Sequence, residues 1–199
     1  MYKGIDISHY DPQVDWTKTK AQGIDFVYIK CTQGTGFVDP LCVKHAAGAK
    51  SVSIKVGYYH FAAVEQDCVK QAQFFIAQFE KLPKAELLPV LDLETNKANL
   101  NRSQIHSFIT TFQAELKKAG YGMMLYSYEP FLDTNLDLNH GLGTIPLWLA
   151  QYRNVDAPTL PHGWMNASVW QYTDSGHIDG ISAIKVDMNK GLNDDFLVE

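Results

Sequence analysis

The chain is poor in cysteine. Its 199 residues hold three, Cys31, Cys42 and Cys68, an odd number with no CxxC pair. That spacing excludes a disulfide framework, and no Cys/His cluster has the arrangement of a zinc site. Buried reduced thiols are the expected use. Long apolar runs are missing as well. No stretch reaches the roughly 20 consecutive apolar residues of a membrane-spanning helix, and the opening MYKGIDISHY has no apolar centre of a secretory leader. Positive charge is scarce: 17 Lys and Arg against 22 Asp and Glu leave a net charge of −5. That is the wrong sign for a protein whose main partner is nucleic acid, because phosphate neutralisation needs a basic face. Repeats, low-complexity tracts and linkers are absent too, so residues 1–199 are read as one domain.

What is present centres on Leu87–Glu94, LLPVLDLE. A short apolar run of this kind suits a buried strand. Side chains alternate across a strand, so Asp92 and Glu94 point the same way, with Cα atoms roughly 6.5–7 Å apart. Two carboxylates at the end of an apolar strand are costly unless paired, hydrogen-bonded or partly wet. Such placement also separates the pKa values of two acids at one reacting bond. A strand ending in a solvated acidic loop is the alternative.

Around this stretch the chain alternates. Lys3–Ser8, Asp25–Cys31, Lys55–Phe61, Leu87–Glu94 and Gly122–Ser127 read as strands. Trp16–Gln22, Val38–Lys50, Glu65–Lys81 and a segment from Ser103 to Ala119 read as helices. Ser103 can cap the last of these, and Gly120 stops it. Strand–helix alternation implies a parallel sheet with helices outside. After Ser127 the rhythm changes. Leu147–Tyr152, Ser168–Thr173 and Ile184–Met188 read as strands joined by connections too short for full helices. Eight strands fit a closed α/β barrel shorter than the usual eightfold one of about 250 residues.

In such barrels chemistry sits at the C-terminal strand ends. Those ends collect Asp6, Lys30, Tyr58 to His60, Asp92 with Glu94, Tyr126, Trp148 with Gln151 and Tyr152, Trp170 to Tyr172, and Asp187. Carboxylates from four strands among Trp and Tyr suit a sugar polymer, whose ring faces stack on aromatics while its hydroxyls take polar partners. Several members fit duller roles as well. Asp6 and Asp187 suit loop caps, Tyr59 and Trp148 suit a core, and a hydrogen-bonded structural histidine is the commoner use of His60. Convergence of four acids on one rim favours chemistry.

These residues carry a resemblance. GIDISH at Gly4–His9, GIDFVYIKCTQGTGFVDP, KVGYYHFA, PVLDLE, YSYEPF, PLWLAQY, VWQYTDSG and VDMN at Val186–Asn189 follow one another through nearly the whole chain. The series resembles glycoside hydrolase family 25, the Chalaropsis-type lysozymes of bacteria, fungi and many phage endolysins. The resemblance implies an irregular TIM-like barrel, (β/α)5(β)3. It also implies muramidase activity, cleavage of the β-1,4 bond between N-acetylmuramic acid and N-acetylglucosamine in peptidoglycan. It makes Glu94 the general acid and Asp92, Asp6 and Asp187 the other catalytic acids. Tyr59, Tyr126 and Trp148 match family positions that line the groove; Lys30, His60, Gln151 and Gln171 complete the expected substrate-binding set. Gln33 stands where the family often has Glu. Whether Asp92 or Asp6 acts as nucleophile, as electrostatic partner or by positioning the substrate's acetamido group stays open.

No cofactor or metal is expected, and the implied partner is the glycan strand of peptidoglycan, bound by a monomer without nucleic acid or membrane. The expected place of action is the bacterial cell wall, reached as a phage enzyme released by lysis or as a secreted one whose signal lies outside this chain. Two rivals remain. A metal-dependent phosphodiester hydrolase would use the carboxylates for Mg²⁺ or Ca²⁺, but no Arg or Gly-rich loop is placed to grip phosphate. A non-catalytic glycan-binding barrel would keep the aromatics and release no reducing ends.

Overall fold

A computed structural model describes residues 1–198. In chain order its elements are β1 (Tyr2–Ile7), α1 (Trp16–Ala21), β2 (Phe26–Gln33), β3 (Phe37–Val38), α2 (Cys42–Ser51), β4 (Lys55–Phe61), α3 (Cys68–Phe79), β5 (Val90–Asp92), α4 (Arg102–Lys118), β6 (Met124–Tyr128), α5 (Glu129–Asn135), β7 (Leu147–Ala150), β8 (Val169–Gly176) and β9 (Val186–Gly191). Eight strands close a ring in the order β1-β2-β4-β5-β6-β7-β8-β9, and β9 returns to β1. This is the expected barrel of five β/α units followed by three strands. The two-residue β3 is a flap, paired antiparallel to β2 outside the ring.

Five features depart from the sequence reading. The strand expected over Leu87–Glu94 is regular only at Val90–Asp92, and Glu94 lies just beyond it; Leu87 makes a separate bridge to Leu197. The helix expected from Val38 begins at Cys42, because Val38 is taken by the flap. Asn101, not Ser103, caps α4: its side chain accepts from the Gln104 N–H while the Gln104 side chain accepts from the Asn101 N–H, a reciprocal cap that satisfies two otherwise orphaned donors. The last strand runs antiparallel to both neighbours, so Asp187 sits near its start rather than its end. The short helix α5, which no periodicity in the sequence announced, begins with Pro130 in its first turn, a favoured position for proline.

Strand alternation sorts the core into two bodies. On β2, Val27, Ile29 and Cys31 face out beneath the helices, together with Phe75 of α3 and Ile105, Phe108 and Phe112 of α4. Phe26 and Tyr28 face into the barrel, where they pack with Val90, Met124, Trp148, Val169 and Phe196. Truncating an aromatic such as the fully buried Phe112 would cost about 3–5 kcal/mol. Inside the barrel Tyr28 lies across β4 and stacks on Trp148, ring centroids 4.7 Å apart at 27°. A Cβ at Gly57 would come within 2.3 Å of the Tyr28 ring, so a glycine at that position is what lets the stack form. The apolar plug therefore supports Trp148 from below, and the polar ends of the same inward rows form the floor above it.

Candidate active site

Most inward rows carry a polar side chain to one rim. Gly4 leads to Asp6 on β1, Tyr28 to Lys30 on β2, Gly57 to Tyr59 and Phe61 on β4, and Val90 to Asp92 on β5. Met124 leads to Tyr126 on β6 and Val169 to Gln171 on β8. The reversed β9 brings Asp187 to the same rim, directly opposite Asp6 in the ladder. A cavity of about 220 Å³ opens there, lined by Asp6, Lys30, Tyr59, Asp92, Glu94, Tyr126, Trp148, Gln171 and Asp187, with Ser8, Tyr10 and Phe61 at its edge. Nine of the eleven residues expected at the site thus share one pocket.

Two do not. His60 follows the inward Tyr59 and so faces the other way, beneath the helices. It is fully buried; its Nε2 pairs with Gln71 Oε1 at 3.2 Å and its Nδ1 with Thr32 Oγ1 at 2.8 Å. Gln71 Oε1 also accepts the Ala63 N–H, so it is an acceptor, His60 Nε2 carries the proton and Thr32 donates to Nδ1. Burial pushes the imidazole down to about 4, so the ring is neutral and structural. Gln151 likewise spends its amide on the chain: Oε1 accepts the Thr159 N–H at 2.9 Å and Nε2 donates to the Thr159 carbonyl at 3.4 Å. It pins a loop next to the site.

Asp6 is gripped from two sides. Asn189 Nδ2 donates to its Oδ1 at 2.7 Å, and Gln171 Nε2 donates to Oδ1 and Oδ2 at 2.9 and 3.1 Å. Each amide is in turn oriented by aromatic donors. Trp148 Nε1 donates to Asn189 Oδ1 at 2.7 Å, and the hydroxyls of Tyr126 and Tyr152 donate to Gln171 Oε1 at 2.9 and 2.6 Å. Asn189 was not expected at the site; Tyr152 was read on the rim but not named in the substrate-binding set. Asn189 was findable, because it lies two residues from Asp187 on the same strand face. Despite these donors, burial and then the charge of Asp187 push Asp6 well above the aspartate range. Burial raises Asp187 to about 6, against a hydrogen bond with Asp6 that lowers it. The two titrate as a coupled pair.

Asp92 lacks such support. It is 5% exposed, and its Oδ1 has no hydrogen-bond partner among the described residues. Burial, then Glu94, raise its pKa well above the ordinary range, while Lys30 opposes them. Glu94 is half-buried, and burial raises it too, with Lys30 lowering and Asp187 raising. Lys30 reaches Gln33 Oε1 at 2.7 Å and lies 4.9 Å from the Phe61 ring centroid; Gln33, where the family often has Glu, therefore meets this cation without a charge of its own. Among the described residues no group of three His, Cys, Asp or Glu side chains is arranged to hold a metal ion.

The chain has clear relatives among known proteins. It is 31% identical over 198 residues to "Lysozyme M1" of Streptomyces globisporus, covering 94% of this chain and 67% of that protein. It is 31% identical over 180 residues to the "Autolytic lysozyme" of Clostridium acetobutylicum, of which it spans 53%. The bacterial lysozyme structure from Streptomyces coelicolor superposes with a TM-score of 0.86 at 28% identity, over 96% of this chain and 92% of that one. The family model described as "Glycosyl hydrolases family 25" matches residues 5–181: this chain is a glycoside hydrolase and belongs to family 25.

Proposed function

We propose that the chain hydrolyses peptidoglycan at the β-1,4 bond between N-acetylmuramic acid and N-acetylglucosamine, with Glu94 as the general acid. The observation that carries this reading is the gathering of Glu94 with Asp6, Asp92 and Asp187 in one aromatic-walled pocket that raises the pKa of all four. A general acid must hold its proton near working pH. Glu94 is the most accessible of the two acids that follow β5, and burial among like charges keeps it protonated further up the pH scale than a free glutamate.

The unpartnered Asp92 Oδ1 supports a specific role for that residue. An acetamido N–H on the sugar entering the pocket would give this oxygen the partner it lacks and turn the acetamido carbonyl toward the anomeric carbon. As Glu94 gives its proton to the leaving oxygen, the C1–O bond breaks and the acetamido oxygen bonds C1, its N–H proton passing to Asp92. Water then attacks C1 and gives its proton to Glu94 while the ring's C1–O bond breaks and Asp92 returns its proton to the acetamido nitrogen, so the amide is restored and the anomeric configuration retained. Asp6, held by Asn189 and Gln171, and Asp187 supply negative charge to the oxocarbenium-like transition state. The test is mass analysis of fragments from digested cell wall. Muramic acid at the new reducing ends supports the assignment, N-acetylglucosamine there rejects the bond, and continued cleavage of N-deacetylated strands rejects the acetamido step.

A further inference from the structure

Beside the acidic pocket lies a second lobe of about 400 Å³, lined by Glu94, Tyr126, Tyr128, Glu129, Pro130, Ala150, Gln151, Tyr152 and Arg153. The two cavities share Glu94 and Tyr126. Tyr128 and Tyr152 stand 36% and 49% exposed on its walls, an apolar surface of the kind sugar faces stack on. Arg153 is the one cationic residue in the lining, and the sequence holds only one other arginine, Arg102. Arg102 is engaged with the Thr134 carbonyl and Asp137, whereas the Arg153 side chain makes no hydrogen bond or ion pair among the described residues, although Glu94 and Glu129 line the same lobe. Its loop is tied down: Gln151 clasps Thr159 with both amide atoms, and Trp170 Nε1 donates to the Gln151 carbonyl at 2.9 Å.

We propose that this lobe receives the leaving side of the glycan strand and that Arg153 binds a carboxylate of the peptide stem carried by that strand. The assignment rests on the muramidase reading above. A general acid sits at the oxygen being cleaved, so a group shared by two cavities divides the sugars on either side of the broken bond. The pocket with Asp6, Asp92 and Asp187 holds the sugar whose anomeric carbon reacts, and the lobe beyond Glu94 holds what leaves. With the lactyl carboxyl of each muramic acid tied up in the amide bond to its stem, the glycan backbone offers no anion to an arginine; the acidic stems on alternate sugars do. In a cleft otherwise rich in carboxylates, such a stem is repelled unless a cation meets it, and guanidinium matches carboxylate in a two-bonded fork. Arg153 thus acts as a specificity residue for substituted strands.

The experiment compares the wild type with Arg153→Ala and Arg153→Lys on two substrates: glycan strands with stems intact, and the same strands stripped of stems by an amidase, with the lactyl carboxyl so freed capped as its methylamide. Reducing ends released give KM and kcat for each. The expected result is that Arg153→Ala raises KM about tenfold more for stem-bearing than for stripped strands, the value of one charge-assisted contact. Arg153→Lys should recover part of that difference, and kcat should change little. Equal changes on both substrates, or no change on either, overturn the assignment of Arg153. Failure of the wild type to cut either strand is a different result, which removes the muramidase reading itself.

Discussion

The two acid pairs on the rim are built in opposite ways. Asp6 and Asp187 face each other across an antiparallel ladder, and Asp6 takes three donated bonds from amides that Trp148, Tyr126 and Tyr152 hold in place. Asp92 and Glu94 come from one strand end, and Asp92 is buried with an oxygen that nothing satisfies. The first pair has its orientation settled before substrate arrives. The second is left short of partners: two close acids that resist ionising together hold one proton between them, which serves Glu94 as the acid and leaves Asp92 an acceptor for the substrate. Buried carboxylates that lack donors are costly to stability, and enzymes commonly accept that cost where chemistry is done.

The largest effect should come from Glu94→Gln, which keeps shape and burial but cannot deliver a proton. It is expected to lower kcat by about 10²–10⁴-fold with an unchanged circular dichroism spectrum; lysis at the wild-type rate would dismiss Glu94 as the acid. Asparagine substitutions then probe the contrast directly. Asp6→Asn sets an amide against the Asn189 and Gln171 donors, and melting should show a loss of about 1–3 kcal/mol. Asp92→Asn opposes no donor and should leave the melting temperature unchanged or higher. A reversed order of the two melting temperatures would show that the pairs are supported alike.

A smaller signature lies in pH. The folded protein holds the Asp187 proton more tightly than the unfolded chain does, so ionising this group favours unfolding. Its contribution to stability is fully present below the ordinary carboxylate range near pH 4 and is lost as pH rises through its folded value of about 6. Asp187→Asn should therefore flatten the dependence of melting temperature on pH across that window; an unaltered slope would assign it to other groups. Smallest is Lys30→Met. Lys30 lowers the pKa of Asp92 and Glu94, so its loss should move the alkaline limb of kcat/KM to higher pH. A limb that stays in place would put the cation out of electrostatic reach of the acid.

The barrel and most of the pocket were legible because strand alternation and the punctuation of the helices are local. Asp92 and Glu94 were assigned to one face by parity, and the same rule, applied to Tyr59 and His60, would have separated them, since neighbours on a strand cannot both face in. It would also have picked out Asn189 from Asp187. The direction of β9 was not legible. Antiparallel return depends on how the chain after Gly176 crosses the rim, and the local pattern of residues 184–188 reads the same in either sense. The partners of Gln151 and Gln171 were equally hidden, as one glutamine closes a loop and the other orients an acid from 165 residues away.

The reversal of β9 has a consequence for engineering. Tyr2 opens β1 beside Gly191, which closes β9, and Phe196 packs against Tyr2 and Phe26. Both tails therefore leave from the underside of the barrel, a full strand length from the cleft. A binding module, tag or surface anchor fused at either end would hang clear of an incoming polymer, and the catalyst could be tethered to a wall while its mouth still points outward.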